Sequence, residues 1–488
     1  MNPLKKLFQQ TAIYGLATVL PRMFSFILVP LYTSVMATNL YGEVNIIFAW
    51  FAIFNVFLAY GMETAFFRFF NKTEDKNVVI STSLISILFT TAAFAAVALL
   101  LQNSLANLLG MNVKYLWYVV VILSLDALVI IPFAWLRATE KPMKYAVIKI
   151  GNVAINLGFN IFFLLLLPEI VKENSDSFFG WMYRPDFEIS FILISNLMAS
   201  GVTLLLMLPL YLKGKYVFDN QLWQRMMHYA WPVLIAGVAF TINEVFDKIM
   251  LENLLPEDIA ESEIGKYSAC YKLGLFMTLF GTAFRMGIEP FFFSHAGTEN
   301  PQKAYAQITN YFVVLGSIIL LAVIVYADIL KVIIVQDEAY WEAMNIVPLI
   351  VLASFFLGIY HNLSVWYKVT DKTRYGALIS IAGAIITISI NYFFIPSIGY
   401  MASAIATVSA YGAMMVLSYY FGKSRYPIPY NFRKILFYLG VSISFSGLSF
   451  YVFDRNLYVG TTLLLIFLGL VYKLENDMLR KILMKQKG

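Results

Sequence analysis

Long apolar runs, separated by short polar breaks, make up most of the chain. A helix needs about 20 apolar residues to cross a bilayer, and about 14 runs reach that length. The breaks carry charges and turn residues, as in "NKTEDKN" at 71–77. Strands of an outer-membrane barrel would be about 10 residues long with strict alternation, so these runs predict helices. The predicted spans are 11–35, 42–66, 80–102, 115–137, 145–168, 190–213, 229–251, 264–290, 308–328, 344–366, 375–397, 399–421, 434–453 and 457–473.

The composition indicates that lipid is the solvent for most of the chain. The sequence is 60% hydrophobic and 13% charged, whereas soluble domains carry about 25% charged residues. The basic start "MNPLKK" leads into an apolar stretch long enough to span, so we expect a retained first helix. The single cysteine, Cys270, rules out an internal disulfide and argues against a cysteine metal site. The sequence predicts an all-α polytopic membrane protein with about 14 transmembrane helices.

The distribution of Lys and Arg predicts the topology. If the N-terminus is inside, about 25 of the 35 Lys and Arg residues fall in inside segments, where the positive-inside rule expects them. The outside loops are acidic instead, as in "PEDIAESE" at 256–263. An even number of helices then places both termini in the cytoplasm. The net charge of +6 is explained by this topology and does not indicate a nucleic-acid partner.

Two halves of the chain resemble each other. "YGMETAFFRFF" at 60–70 aligns without a gap with "MGIEPFFFSHA" at 286–296, which places Glu63 on Glu289. Charged and small residues match in order as well as apolar ones, although chance similarity among Phe-rich helices is the alternative. Further pairs at nearly the same offset are "TEK" at 139–141 with "TDK" at 370–372, "NIFFL" at 160–164 with "NYFFI" at 391–395, and "YGE" at 41–43 with "IGK" at 264–266.

The repeat predicts the domain organisation. Helices 1–6 correspond to helices 7–12, and an even number of spans in each copy makes the copies parallel. We expect two pseudo-symmetric six-helix bundles with a cleft between them. The predicted domains are a first bundle over 1–215, a second bundle over 216–430, and helices 13 and 14 with a basic tail over 431–488.

Charged residues inside the predicted spans are the candidates for function. Each costs roughly 2.5–3.5 kcal/mol at the bilayer centre on insertion scales. Most of them must therefore face protein or a water-filled cavity. Those selected as candidates are Arg22, Glu63, Asp126, Glu244, Asp247, Lys248, Lys272, Arg285 and Glu289.

Arg22 lies near the middle of helix 1, where a side chain cannot easily reach the aqueous phase. Thr18, Arg22 and Ser25 recur at helical spacing and share one face. This face fits the wall of a polar cavity. The alternative is a pair of Arg22 with Glu63 or Asp126 that only joins helices.

Helices 7 and 8 carry charges at helical spacing. Glu244 and Lys248 are four residues apart and can pair along helix 7, while Asp247 shares much of that face. These three residues form either a self-neutralising cluster or part of a site. Arg285 and Glu289, also four apart, predict a salt bridge near the inside end of helix 8.

Glu63 and Glu289 occupy equivalent positions on the predicted cytoplasmic side. They either hold a gate closed by pairing with Arg68, Arg285 or neighbouring cations, or form structural bonds at a helix end beside a Phe cluster.

Neutral polar side chains in the spans allow two interpretations. Asn152, Asn156 and Asn160 follow one face of helix 5 and either line a sugar-tolerant cavity or hydrogen-bond between helices. His361 in helix 10 is expected to be a hydrogen-bonded core residue.

Enzyme motifs are missing from the sequence. It contains no phosphate-binding loop of the Walker type, no HExxH and no nucleophile elbow. We therefore expect a protein that is not an enzyme and that uses neither a cofactor nor a metal ion.

The first two helices resemble a known family. "FQQTAIYGLATVLPRMFSFILVPLYTSVMATNLYGEVNII" at 8–47 is similar to the start of Wzx-type polysaccharide flippases. These belong to the multidrug/oligosaccharidyl-lipid/polysaccharide exporter superfamily. The shared features are polar residues before helix 1, Arg22 in the middle of that helix, the sequence Pro-Leu-Tyr at 30–32, and the pair Tyr-Gly at 41–42 where helix 2 begins. By architecture the resemblance covers the full length, and by motif it covers mainly helices 1 and 2 and the loop between helices 4 and 5.

The resemblance implies alternating access between two bundles in the bacterial cytoplasmic membrane. The implied cargo is an undecaprenyl-diphosphate-linked oligosaccharide for O-antigen of lipopolysaccharide, capsule or exopolysaccharide. The implied partners are this glycan, the bilayer, and polysaccharide polymerase and assembly proteins. Arg22 is the implied diphosphate contact, with Lys248, Lys272 and Asn156 as further substrate-binding candidates. The candidates for coupling or gating are Glu63, Asp126, Glu244, Asp247, Arg285 and Glu289.

Three alternatives are kept. A cation-coupled multidrug exporter of the same fold would need acidic cavity residues without basic partners, and Asp126 keeps this possibility open. A lipid II flippase would carry more mid-span arginines than this sequence has. A membrane-embedded glycan polymerase or ligase would present a large outside loop, whereas the loop at 168–189 is short and acidic.

Overall fold

A computed structural model gives the structure of the chain. It describes residues 26–173, 179–212, 216–295 and 299–475, together with positions 15, 17, 19–21 and 23. For residues 289, 290 and 293–295 it describes the backbone only. The described residues form helices and connecting turns, without a strand. Each predicted span corresponds to one helix or to successive helices, which confirms the all-α polytopic fold.

The helices of the first half include one apolar helix at Val19–Val35, α1, in which residues 22, 24 and 25 are not described. The others are α2 (Thr38–Ala59), α3 (Met62–Lys72), α4 (Lys76–Leu100), α5 (Gln102–Leu108), α6 (Val113–Leu128), α7 (Ile130–Ala138), α8 (Pro142–Ile161), α9 (Leu167–Glu173) and α10 (Glu188–Leu212). A π-helical turn, Phe162–Leu166, joins α8 to α9.

The remaining helices follow the same plan, with a 3₁₀ turn at Lys272–Gly274 and a π-helical turn at Leu448–Val452. They are α11 (Asn220–Leu254), α12 (Glu257–Tyr271), α13 (Leu275–His295), α14 (Pro301–Val325), α15 (Ala327–Ile334), α16 (Val347–Leu363), α17 (Val365–Val369), α18 (Arg374–Ile398), α19 (Tyr400–Arg425), α20 (Phe432–Gly447) and α21 (Leu457–Leu474).

Apolar length and composition single out most of these helices as membrane spans. Within the described part of the chain, 11 helical segments are long and apolar enough to cross a membrane. The predicted helices 1, 7 and 8 are not among them. Helix 7 is α11, and helix 8 is the succession of α12 and α13. Both carry several of the in-span charges, so the candidate residues are concentrated in the helices that are least like ordinary spans.

The predicted second span is broken by a left-handed turn. Tyr60 and Gly61 have φ values of 32° and 73°, and they separate α2 from α3. A Cβ atom at Gly61 would also lie 2.4 Å from the carbonyl oxygen of Ala230 in α11. Glycine is therefore required by both the backbone angle and the contact. The turn places Glu63 in the first turn of α3, where a negative charge is favourable.

Contacts within the chain define two compact units. The first unit runs through Ser268 and includes Gly383–Ser403. One of its apolar clusters joins α3, α4, α7 and α11, with Phe66, Leu84 and Met226 fully buried or nearly so. This cluster fixes the end of α3 against the first turns of α11.

The second unit consists of Ala269–Ala382 and the chain from Ala404 onward. Its apolar cluster joins α13, α14, α16, α17, α18 and α19, and Tyr305 and Trp366 are almost fully buried in it. The indole nitrogen of Trp366 donates a hydrogen bond to the backbone oxygen of Ser418, at 3.0 Å. The domain boundaries after residues 215 and 430 follow the sequence repeat and stay a prediction.

Large apolar side chains are exposed on many helices. Examples are Phe89, Leu100, Phe393 and Leu465. A soluble monomer rarely exposes apolar surface on this scale. These faces are consistent with contact to lipid.

Candidate functional site

A buried ion pair lies on α11. Asp247 and Lys248 are only 4% and 9% exposed, and the Lys248 Nζ lies 3.1 Å from the Asp247 Oδ1. The other carboxylate oxygen, Oδ2, accepts a hydrogen bond of 2.6 Å from the Tyr267 hydroxyl of α12. Both oxygens of Asp247 are therefore partnered, which is what a buried charge requires. Glu244, one turn earlier on the same helix, is exposed.

Neutral polar side chains continue this cluster across three helices. Asn243 is buried one turn before Asp247 on α11, and its Oδ1 accepts a 3.0 Å hydrogen bond from Thr387 Oγ1 of α18. One turn further along α18, the buried Asn391 accepts a 2.7 Å hydrogen bond from Ser403 Oγ of α19. The sequence analysis did not select Asn243, Thr387 or Asn391. The available signal was the "NYFFI" repeat, in which Asn391 matches Asn160.

Asn160 is also buried and bridges helices. Its Oδ1 accepts a 2.9 Å hydrogen bond from the Tyr32 hydroxyl of α1. Its Nδ2 donates to the backbone oxygen and to the Oδ1 of Asn156, both at 2.8 Å. Asn152 donates a 2.9 Å bond to Thr203 of α10. Asn152 and Asn160 therefore make interhelical bonds, as in the second interpretation of this face, whereas Asn156 bonds to Asn160 within α8.

A second set of charges lies on α6 and α8. Asp126 Oδ1 accepts a 2.7 Å hydrogen bond from Ser200 Oγ of α10. Lys149 of α8 interacts electrostatically with Asp126, and its Nζ lies 4.2 Å from the ring centroid of Phe133. The sequence analysis did not recognise Lys149 as a partner for Asp126.

Glu63 pairs with Arg137 across α3 and α7. The Glu63 Oε1 and the Arg137 Nη1 are 2.6 Å apart, with side chains 46% and 43% exposed. Arg68, one of the expected partners, instead has its guanidinium carbon 4.3 Å from the ring centroid of Tyr229. In the repeat, Arg137 corresponds to Lys368, because each follows its Trp by two residues.

The second unit holds the candidate cations Lys272 and Arg285. The Arg285 Nη1 lies 3.3 Å from the His361 Nε2, so His361 is hydrogen-bonded as expected. Both residues line a small pocket with Lys368. Lys272 begins the 3₁₀ turn that joins α12 to α13. Of the other candidates, Arg22 and the side chain of Glu289 lie outside what the structure describes. The roles of these residues in substrate binding, coupling or gating stay predictions.

Helices α2 and α12 cross closely at two glycines, one on each helix. A Cβ atom at Gly42 of α2 would lie 1.8 Å from the Glu261 carbonyl oxygen, and one at Gly265 of α12 would lie 1.9 Å from the Thr38 carbonyl oxygen. Next to this crossing, the hydroxyls of Thr38 and Ser262 are 2.7 Å apart. Gly42 and Gly265 are counterparts in the predicted repeat, and a Cβ atom added at either would lie against a backbone carbonyl of the other helix.

An acidic residue borders the same crossing. Glu261 lies at the start of α12, before the predicted span, and burial raises the pKa of its carboxyl above the ordinary value. Glu43 and Glu252 lie close enough to interact with it electrostatically. In the described part of the chain, no group of three or more His, Cys, Asp or Glu residues is placed to hold a metal ion.

The fold and these buried charges are those of a multi-pass α-helical membrane protein in which charged groups are kept away from lipid. A family model described as "Polysaccharide biosynthesis protein" matches residues 7–294, and the chain belongs to this family. A second family model, MatE, matches residues 232–393. The predicted resemblance to the exporter superfamily is confirmed. No curated protein matches the chain.

Solved structures share the fold over nearly the whole chain. The lipid II flippase MurJ, in an inward closed conformation, has a TM-score of 0.69 at 15% identity over 95% of this chain and 99% of its own. A MOP superfamily transporter from Pyrococcus furiosus has a TM-score of 0.60 at 12% identity, over 85% of this chain and 95% of its own. A mutant of the Vibrio cholerae MATE transporter VcmN has a TM-score of 0.60 at 16% identity, over 87% of this chain and 98% of its own.

Proposed function

We propose that this protein flips an undecaprenyl-diphosphate-linked oligosaccharide across the bacterial cytoplasmic membrane, for the synthesis of O-antigen, capsule or exopolysaccharide. The observation that carries the proposal is the match of the polysaccharide biosynthesis family to residues 7–294. A diphosphate and its sugars cannot cross hydrocarbon unaided, because unpaired charge is prohibitively costly there. The protein supplies cations and hydrogen bonds along the route by alternating access.

Cations on the first helix of each repeat support this cargo. Lys248 follows Arg22 by the same offset that relates Glu289 to Glu63. The two repeats therefore carry a cation at equivalent positions of helices 1 and 7. Arg22 is the proposed diphosphate contact, and Lys248 is the proposed second cation. Asp247, which already holds Lys248, is positioned to respond when the cargo competes for that ammonium group.

A second candidate function is a cation-coupled multidrug exporter. The MatE match at residues 232–393 favours it. A lipid II flippase is a third candidate, because the fold is similar to that of MurJ. The three candidates differ in what accumulates when the protein is removed.

Depletion of the protein followed by mass spectrometry of membrane lipids separates these candidates. We expect undecaprenyl-diphosphate-linked oligosaccharide to accumulate and surface polysaccharide to fall. Complementation with Arg22→Ala at normal protein level is expected to leave both defects, whereas Arg374→Ala, at the exposed first residue of α18, restores the polymer. Accumulation of lipid II, or drug sensitivity with normal lipid-linked oligosaccharide, would reject the proposal in favour of one alternative.

A further inference from the structure

A basic cavity lies at the junction of α3 and α11, within the first unit. Its volume is about 720 Å³, which falls within the range of about 300–1,000 Å³ typical of ligand sites. The residues that line it are Arg68, Phe69, Gln221, Gln224, Arg225, His228 and Tyr229.

The sequence of α11 explains why one face of this helix is polar here. Leu222, Met226 and Ala230 are buried in the apolar cluster beneath α3. Gln221, Gln224, Arg225 and His228 occupy the opposite face at spacings of three and four residues, and all four are exposed. The apolar cluster therefore fixes the orientation of the cavity wall.

The two arginines are held in place by their neighbours. The Arg68 guanidinium carbon lies 4.3 Å from the ring centroid of Tyr229. The Arg225 Nε donates a 3.4 Å hydrogen bond to the backbone oxygen of Gln221. Neither contact neutralises a positive charge, and among the described lining residues there is no carboxylate. The cavity offers guanidinium, amide, imidazole and phenol donors to one ligand.

This cavity is separate from the buried pair on α11. Arg225 precedes Lys248 by 23 residues, and at 1.5 Å per residue the two lie about 35 Å apart along the helix. The predicted topology places Arg68 and Arg225 on the cytoplasmic side. An anion bound here would lie at the level of the inner-leaflet headgroups.

We propose that this cavity binds the phosphate group of an anionic lipid headgroup at the cytoplasmic leaflet. Arginine recognises phosphate with a planar set of donors, which suits a group with several acceptor oxygens. The headgroup is that of an anionic phospholipid or the diphosphate of a polyprenyl carrier, which share this chemistry. The site is an addition to the proposed transport route, and binding at it is measurable without transport.

Lipid binding to the purified full chain tests the proposal. Native mass spectrometry in detergent compares phosphatidylglycerol and undecaprenyl diphosphate with phosphatidylcholine, and soluble pyrophosphate serves as a competitor. We expect preference for the anionic lipids. Arg68→Gln with Arg225→Gln should weaken their binding about thirtyfold, since each basic residue near a membrane surface contributes about 1 kcal/mol.

Control variants distinguish binding at this cavity from a general effect of positive surface charge. Lys372→Gln with Lys423→Gln removes two exposed cations, one in a loop and one at the end of α19, from the same predicted side and should leave binding unchanged. If the double arginine variant does not fold, Arg225→Gln alone should weaken binding about fivefold, and Arg68→Lys with Arg225→Lys should largely retain it.

The outcomes show which lipid supplies the bound phosphate, or they overturn the proposal. Competition by pyrophosphate supports recognition of the phosphate itself, whereas binding of lipid without competition supports a headgroup held at the membrane surface. A stronger effect on undecaprenyl diphosphate assigns the site to the carrier. Three results would overturn the proposal: equal loss in Arg68→Gln with Arg225→Gln and in Lys372→Gln with Lys423→Gln, unchanged binding when the arginines are replaced by glutamine, or no preference for anionic lipid.

Discussion

At the scale of single residues, Lys248 shows how a charge is tolerated inside a helical span. Its ammonium lies 3.1 Å from the Asp247 carboxylate, which also accepts a hydrogen bond from Tyr267. Removing one partner of a buried pair costs about 3–5 kcal/mol, because the other charge remains buried alone. The pair is therefore sensitive to single changes and tolerant of a change that removes both charges.

A stability comparison tests this account of Lys248. We expect Lys248→Met to destabilise the protein by about 3–5 kcal/mol, and the double variant with Asp247→Asn to recover much of the loss. Thermal unfolding in detergent measures both. Arg137→Met is the control, because its pair with Glu63 is half-exposed and such pairs contribute at most about 1 kcal/mol. Additive losses in the double variant would contradict the pairing.

The sequence identified the costly residues but not their partners. Hydropathy marks Asp126 and Lys248 because any charge in a span is expensive. The partners Tyr267 and Ser200 lie on other helices, and their polar atoms hardly change the hydropathy of those helices. Asn243, Thr387 and Asn391 were missed for the same reason. Lys149 was missed because its position near a loop allowed an ordinary topological explanation.

At the scale of helices, apolar runs predicted where helices lie, but not where they break or touch. Gly61 was noted as part of a repeated motif, while its left-handed turn divides the predicted span into α2 and α3. Gly42 and Gly265 were noted as a matched pair. Their close contacts with α12 and α2 depend on tertiary structure, which no local pattern contains.

The crossing of α2 and α12 makes a specific prediction. Cysteines at Thr38 and Ser262, whose hydroxyls are 2.7 Å apart, should form a disulfide under mild oxidation. Gly265→Ala should reduce its yield severalfold, because the added Cβ would lie 1.9 Å from the Thr38 carbonyl oxygen and the helices must separate. Gly151→Ala, with no atom within 4 Å of the added Cβ, is the control. Undiminished cross-linking in the Gly265 variant would refute the close crossing.

At the scale of the whole molecule, the sequence predicted the fold class, the helices and the family. The reason is physical, since lipid permits spanning chains to form only helices or closed barrels. Helix count and the spacing of repeated motifs therefore carry much of the fold. The division of α18 and α19 between the two units was not foreseen, because repeat boundaries follow sequence order and compact units follow contacts.

The predicted orientation in the membrane depends on all loops together and can be tested with cysteine labelling. Cys270 is fully buried, so the native chain provides an unreactive background. Asp186 and Thr373 are exposed in loops that the positive-inside rule places outside and inside, respectively. A membrane-impermeant maleimide applied to intact cells should label Asp186→Cys, and it should label Thr373→Cys only after the inner membrane is permeabilised. The reverse pattern would invert the topology and move the basic cavity at Arg68 and Arg225 to the outer leaflet. Labelling of both sites in intact cells would mean an even number of spans between them instead of the five predicted, and the assignment of helices 6 to 10 would then be wrong.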